Sequence, residues 1–177
     1  MLTLHSLANK ALRPIGVFTD IDDTLTTEGA ITPDALQALA DLKAAGLHVV
    51  PITGRPVGWS EPFVNRWPVD AIVAENGAVA LQYSKGQPLH KRYQQETAVR
   101  TANFARMQEV LAQIESRIPG ARRSQDSAGR ETDIAIDHSE FTHLPQSDID
   151  AVVRLMQTEG MTATVSSIHI NGWYGEH

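Results

Sequence analysis

The alternation of apolar and polar positions divides the chain into short blocks. Residues 15–21 (IGVFTDI) are an apolar, β-rich run ending in acid. A helix is expected next: Thr32 suits the N-cap, Pro33 the first turn, and Asp34 the positive end of the helix dipole. Leu36, Leu39, Leu42 and Lys43 continue at helical spacing until Gly46 stops the pattern. Residues 47–52 (LHVVPI) read as a strand, 57–66 as a short helix and 71–74 (AIVA) as a third strand, closed by the turn signal Glu75-Asn76-Gly77. Strands alternating with helices predict an α/β parallel sheet with right-handed crossovers.

After about residue 82 the texture changes. Residues 82–95 are polar and turn-rich. Residues 96–118 carry Phe104, Met107, Val110, Leu111, Ile114 and Ile118 on one stripe, a long helix ended by Pro119-Gly120. Residues 121–130 read as a loop and 132–137 as a strand. Ser147 with Asp150 resembles a capping box for a helix over about 148–159, stopped by Gly160. Residues 161–171 read as one or two strands. This second half is an α+β module, and the boundary is expected near 82–86.

Composition narrows the function classes. The 177 residues predict one domain, or a small domain with an insert, and 42% hydrophobic with 20% charged residues is ordinary globular usage. The net charge of −6 comes without any basic run, so no nucleic-acid partner is expected. With no cysteine there is no disulfide framework, cysteine nucleophile or thiolate metal site, which suits a reducing cytoplasm. No apolar stretch reaches the ~20 residues of a membrane span. The first residues, MLTLHSLANKALRP, lack the apolar block of a signal peptide, and a cytoplasmic protein without a membrane partner is expected.

The strongest chemistry lies in Asp20-Ile21-Asp22-Asp23-Thr24-Leu25, at the carboxyl end of the first strand. Open α/β sheets bind ligands beyond those strand ends, and residues i and i+2 share a face. Asp20 and Asp22 can both reach that crevice. Two carboxylates held close repel, which favours protonating one or recruiting a cation, and Mg²⁺ takes such hard oxygen ligands. A plain turn or helix cap would also use Asp-Asp-Thr. The second strand ends in Thr53-Gly54-Arg55, either a strand-ending turn or a place for close backbone approach.

VFTDIDDTLT resembles the first motif of the haloacid dehalogenase (HAD) superfamily of phosphohydrolases. The resemblance implies a Mg²⁺-dependent phosphatase. Asp20 would be the nucleophile that forms an aspartyl-phosphate, and Asp22 the general acid and base. The Asp20 carboxylate and the Asp22 backbone carbonyl would bind the metal. Thr53 resembles the second-motif hydroxyl that bonds the phosphoryl oxygen, with the Gly54 N–H beside it. Glu75-Asn76-Gly77-Ala78 is similar to the ENGA turn of members with a mixed α/β cap inserted after the third strand, although Asn-Gly also reads as a hairpin turn. The likeness extends to the sucrose-phosphatase and mannosyl-3-phosphoglycerate-phosphatase subgroup, through IHINGW at 168–173. It implies a small phosphorylated metabolite, such as a sugar phosphate, as substrate. Candidate contacts are Arg55, Asn76 and Glu75 in the core and Arg122, Arg123, Arg130, His169 and Asn171 in the cap. The arginines also read as a solvated loop, and His169 as a half-buried strand residue.

The expected layout is a HAD-like Rossmannoid core over 1–82, a cap over 83–171, and the start of a return to the core over 172–177. The family's third-motif lysine and its later acidic pair have no counterpart in the sequence, so the core is expected to be incomplete at its C-terminal side. The nucleophile strand is then expected at an exposed apolar edge, inviting self-association, and the chain alone is expected to be poorly active. Two other readings remain: a non-catalytic HAD-like binding module or inactive fragment, and a receiver-like phosphoacceptor, which an insert of ~90 residues disfavours.

Overall fold

The computed structural model describes residues 14–177; the expectation drawn from the first residues lies almost wholly outside them. β1 (Gly16–Asp20) pairs in parallel with β4 (His48–Ile52), and β4 with β5 (Ile72–Ala74). Between β1 and β4 lie the small hairpin β2 (Thr26–Thr27) and β3 (Ala30–Ile31), and α1 (Pro33–Ala44). The Thr32 hydroxyl accepts from the Ala35 N–H, as a capping threonine should, and Gly46 leaves the helix at φ +80°. α2 (Val57–Val64) joins β4 to β5. Leu39, Val49, Val57, Val64, Ile72, Val79 and Leu81 form the core of this half.

The sheet does not stop at the third strand. β6 (Val79–Gln82) and β7 (His90–Tyr93) add to it antiparallel, giving the order β1-β4-β5-β6-β7. Residues 82–86 thus fall in the turn of a hairpin whose two strands share a sheet with β1, and the chain leaves that sheet after Tyr93. β7 reads HKRY, and its lysine and arginine blunt an edge strand, so no apolar alternation betrayed it. The parallel sheet expected from the alternating elements is therefore a mixed one.

The second layer is built from α3 (Thr97–Arg117), β8 (Arg122–Arg123), β9 (Ile134–Asp137), α4 (Gln146–Thr158), β10 (Thr162–Val165) and β11 (His169–Trp173). Its antiparallel sheet has the order β10-β11-β9-β8. α3 and α4 cover it through Met107, Val110, Leu111, Ile114, Val152 and Met156 against Ile136 and Ile170. Residues 161–171 resolve into two strands. The expected capping box is absent. α4 starts two residues early, on Pro145, whose carbonyl accepts the Asp148 and Ile149 N–H groups, so Ser147 lies inside the first turn. Within 121–130, expected as a loop, lie β8 and a 3₁₀ turn over Gln125–Gly129.

β1 lies at the sheet edge with Ile15 82% and Phe18 72% exposed, and Ile52 on β4 is exposed beside them. An exposed apolar edge was the expectation for this strand. No helix among the described residues is long and apolar enough to cross a membrane.

Candidate active site

Asp20 is the last residue of β1, and Ile21 turns fully inward behind it. Anchored there, the Ile21 carbonyl accepts from the N–H groups of Thr24, Leu25 and Thr26, folding the chain into a tight turn. Asp23 takes the left-handed conformation in that turn, φ +58°, which aspartate tolerates. Asp20 and Asp22 are thereby presented on one side. Among the described residues the Asp20 carboxylate accepts a single side-chain bond, a long one of 3.2 Å from the Thr24 hydroxyl, and it stays exposed. Asp22 is held firmly: Arg55 Nε and Nη2 both lie 3.1 Å from Asp22 Oδ1. The Thr53 hydroxyl donates to Asp22 Oδ2 at 3.4 Å and accepts the Arg55 N–H at 3.0 Å.

Arg55 joins the two layers. Its Nη1 lies 3.5 Å from Glu140 and 3.7 Å from Asp126, both cap residues, and its guanidinium stands 5.6 Å from the Trp59 ring centroid. Burial works against this cation, but Asp22, Glu140 and Asp126 outweigh it and hold its pKa above the usual arginine value. Glu140 is fixed from behind by Asp137. That buried carboxylate accepts four N–H groups, from Ser139, Glu140, Phe141 and Thr142, at 2.8–3.1 Å. Glu140 in turn bonds His169 Nε2 at 2.8 Å. Burial pushes the His169 ring below the usual histidine pKa, against the pull of Asp126.

These groups surround a cavity of about 270 Å³, lined by Asp20, Asp22, Gly54, Arg55, Asn76, His169, Asn171 and the turn Ser166-Ser167-Ile168. A more open hollow of about 620 Å³ reaches Asp20 from the other side, past Phe18, Ile52 and Trp173. Gly54 is closely packed: a Cβ there would lie 3.0 Å from Asn76 Oδ1 and 3.1 Å from Asn171 Nδ2, and both side chains would have to give. The Asn171 amide oxygen is buried and has no hydrogen-bond partner among the described residues.

Asp20, Asp22, Thr53, Gly54, Arg55, Asn76, His169 and Asn171, singled out from sequence, therefore meet at one place. The other candidates stand apart from it. Arg122 and Arg123 are on the outer strand of the cap sheet, and Arg123 is spent on Glu115 at 2.7 Å. Glu75 and Arg130 do not line the cavity; both lie in the seam between the layers. Fully buried Glu75 accepts from the N–H of Val57 at the start of α2, from the N–H groups of Glu131 and Thr132, and from the Thr132 hydroxyl. The Arg130 side chain is 1% exposed and bonds Asp133, Asp126 and the Gly54 carbonyl. A Cβ on Gly58 would lie 2.9 Å from the Gly129 Cα, so backbone meets backbone there.

The sequence reading missed Asp126, Asp133, Glu140 and Asp137. The spacing of Asp126, Arg130 and Asp133 was a usable signal for an internal ion-pair chain. A further cavity of about 520 Å³ lies between α3 and residues 123–134, but its polar walls bond one another: Ser124 to Asp126, Arg123 to Glu115, Arg130 to Asp133.

No group of three or more acidic or histidine side chains suited to hold a metal occurs among the described residues. Asp20 and Asp22 together supply hard oxygen donors of the kind that Mg²⁺ takes.

A family model described as haloacid dehalogenase-like hydrolase matches residues 17–167. No curated protein matches the chain. Among solved structures, a Thermoplasma acidophilum protein superposes with a TM-score of 0.68 at 17% identity, over 93% of this chain and 67% of its own. A trehalose-6-phosphate phosphatase related protein gives 0.58 at 18%, over 88% and 66%. The sucrose-phosphatase of Synechocystis, solved with sucrose and phosphate, gives 0.61 at 13%, over 92% and 64%. This chain thus spans about two thirds of the length of each. Such identities show a shared fold, and with the match over residues 17–167 the chain belongs to the haloacid dehalogenase-like hydrolases.

Proposed function

We propose that these residues form the substrate side of a Mg²⁺-dependent phosphomonoester hydrolase acting on a sugar phosphate or similar small metabolite. The observation that carries this reading is the exposed Asp20 carboxylate facing a polar cavity beside Asp22, Thr53 and Arg55. A carboxylate nucleophile needs no activating base. Its obstacle is the negative charge of the phosphoryl group, which Arg55, the Thr53 hydroxyl and nearby N–H groups are placed to offset. Asp20 and the Asp22 carbonyl would hold Mg²⁺, which would supply further charge neutralisation.

Asp20 Oδ attacks phosphorus, and the leaving alkoxide takes a proton from Asp22. A water, deprotonated by Asp22, then attacks the aspartyl-phosphate, releasing phosphate and restoring Asp20. An incoming phosphoryl group competes for Arg55, freeing Asp22 to carry that proton. A polar cavity of about 270 Å³ lies at the small end of ligand sites, which supports a small metabolite.

A second reading is a module that binds phosphate without turnover; among the described residues no lysine lines the cavity. Lys43 pairs with Asp70, and Lys91 with Glu61 and Glu131, so neither serves the cavity. A phosphatase screen over sugar phosphates with Mg²⁺, using Asp20→Asn as control, separates the two. Turnover lost in the variant supports the hydrolase; phosphate binding without turnover supports the module. Equal activity in both proteins refutes the nucleophile assignment.

A further inference from the structure

Gly54 poses a problem. A Cβ at this position would crowd the Asn76 and Asn171 amides, so glycine suits it, and a glycine peptide flips at little cost. A flip would turn the Gly54 carbonyl, instead of the Arg55 N–H, toward the Thr53 hydroxyl. The carbonyl and N–H of one trans peptide point in opposite directions. Whatever holds the Gly54 carbonyl therefore also aims the Arg55 N–H.

We propose that Arg130, a cap residue, sets the orientation of the Gly54–Arg55 peptide and thereby the donors facing a bound phosphoryl group, with Asp133 holding Arg130 and Asn76 in register. Arg130 Nη1 donates to the Gly54 carbonyl at 3.2 Å. On the opposite side of that peptide, the Arg55 N–H donates to Thr53 Oγ1 at 3.0 Å. Once the Thr53 oxygen accepts this N–H, its own proton is directed elsewhere, here to Asp22 Oδ2 at 3.4 Å. A line of bonds thus runs from the cap to the second carboxylate of the cluster.

Asp133 fixes the start of the line. It is fully buried and accepts from Arg130 Nη1 at 2.8 and 3.0 Å and from Asn76 Nδ2 at 3.0 Å. Asn76 in turn lies against Gly54, and its N–H holds the Thr53 carbonyl at 3.2 Å. Burying a charged triad seldom raises stability by itself. What Asp126, Arg130 and Asp133 add here is aim. Arg130 is a positioning residue, since it acts through Gly54 and does not line the cavity.

The inference rests on the phosphoryl-site reading of residues 53–55, and its test has a readout independent of that reading. Amide hydrogen exchange at Arg55 is measured by NMR in wild type, Arg130→Met and Arg130→Lys, with Ile136 and Ile170 of the cap sheet as controls. Arg130→Lys keeps a cation for Asp133 and Asp126 but lacks the fork that also reaches Gly54, and it carries the test should Arg130→Met fail to fold. In Arg130→Lys, Arg55 exchange is expected to accelerate about tenfold or more while the controls hold. Inorganic phosphate with Mg²⁺, measured by calorimetry, is expected to bind about tenfold more weakly. An unchanged Arg55 amide overturns the proposal, as does equal acceleration at Ile136 and Ile170, which would mean a general loosening. If wild type binds no phosphate, the phosphoryl reading falls and the amide comparison alone decides the positioning.

Discussion

Replacing Glu75 by glutamine removes a charge and almost no volume, yet it should be costly. Oε1 accepts from the Val57 N–H at 3.0 Å and the Glu131 N–H at 3.0 Å. Oε2 accepts from the Thr132 N–H at 2.6 Å and from the Thr132 hydroxyl. Both oxygens face backbone donors, so neither amide flip rescues the substitution: the new NH₂ group meets an N–H either way. One buried donor is then left without an acceptor, at about 1–3 kcal/mol. The surviving bonds lose their charge assistance, and the start of α2 loses an anion worth ~0.3–1 kcal/mol. The total is about 2–4 kcal/mol, a large share of a typical stability of ~5–15 kcal/mol. In urea unfolding followed by Trp fluorescence, with a slope of about 2 kcal/mol/M, the midpoint should fall by roughly 1–2 M. A midpoint within about 0.2 M of wild type would refute the claim that this carboxylate ties the layers together.

Four further outcomes are expected. Asp20→Asn removes any phosphatase turnover while leaving the unfolding midpoint near wild type, because among the described residues the Asp20 carboxylate accepts a single long side-chain bond. Gly54→Ala forces Asn76 and Asn171 apart, costing about 1–3 kcal/mol in stability and weakening phosphate binding in a calorimetric titration. Burial, reinforced by Glu75 and Asp126, outweighs Arg130 and pushes the Asp133 carboxyl up to about 7. The folded chain therefore holds a proton that the unfolded chain releases near pH 4, and this contribution is present at low pH and lost as pH rises toward 7. Wild type should accordingly lose about 1–3 kcal/mol more between pH 5 and 8 than Asp133→Asn, and parallel pH profiles would contradict this. Finally, sedimentation should show concentration-dependent self-association through the exposed edge at Ile15 and Phe18, reduced in Phe18→Lys. A wild type that stays monomeric at high concentration would count against that edge.

Local signals were readable where the cause is local. Thr32, Pro33 and Gly46 bound α1 because capping and left-handed φ are properties of a few neighbouring residues. The run ending in Asp20 places the acidic turn, since an apolar strand that closes on Asp-Asp-Thr has to turn there, whether as a site or as a plain turn. β7 was not readable, because an edge strand of His, Lys, Arg and Tyr looks like a polar loop until its partner is known. Glu75 was assigned to the substrate through the ENGA likeness and Arg130 on its guanidinium fork, whereas the structure gives each a set of internal partners. Asp133 has a sequence-near partner in Arg130, but its bond to Asn76 exists only through tertiary packing, whereas Asp137 bonds the N–H groups of the next few residues, a local Asx-type turn that the sequence could have shown.

The meeting of Gly58 with Gly129 has a consequence for how the site could change over time. With a would-be Cβ on Gly58 2.9 Å from the Gly129 Cα, a side chain at either position would force the two backbones apart. Ser167 and Ile168, on the rim of the cavity, take no part in that contact. Ser166 is tied to His169, whose N–H its hydroxyl accepts at 3.0 Å. Substitution at Ser167 can therefore reshape the rim without touching either the seam or the bonds that keep Arg55 against Asp22.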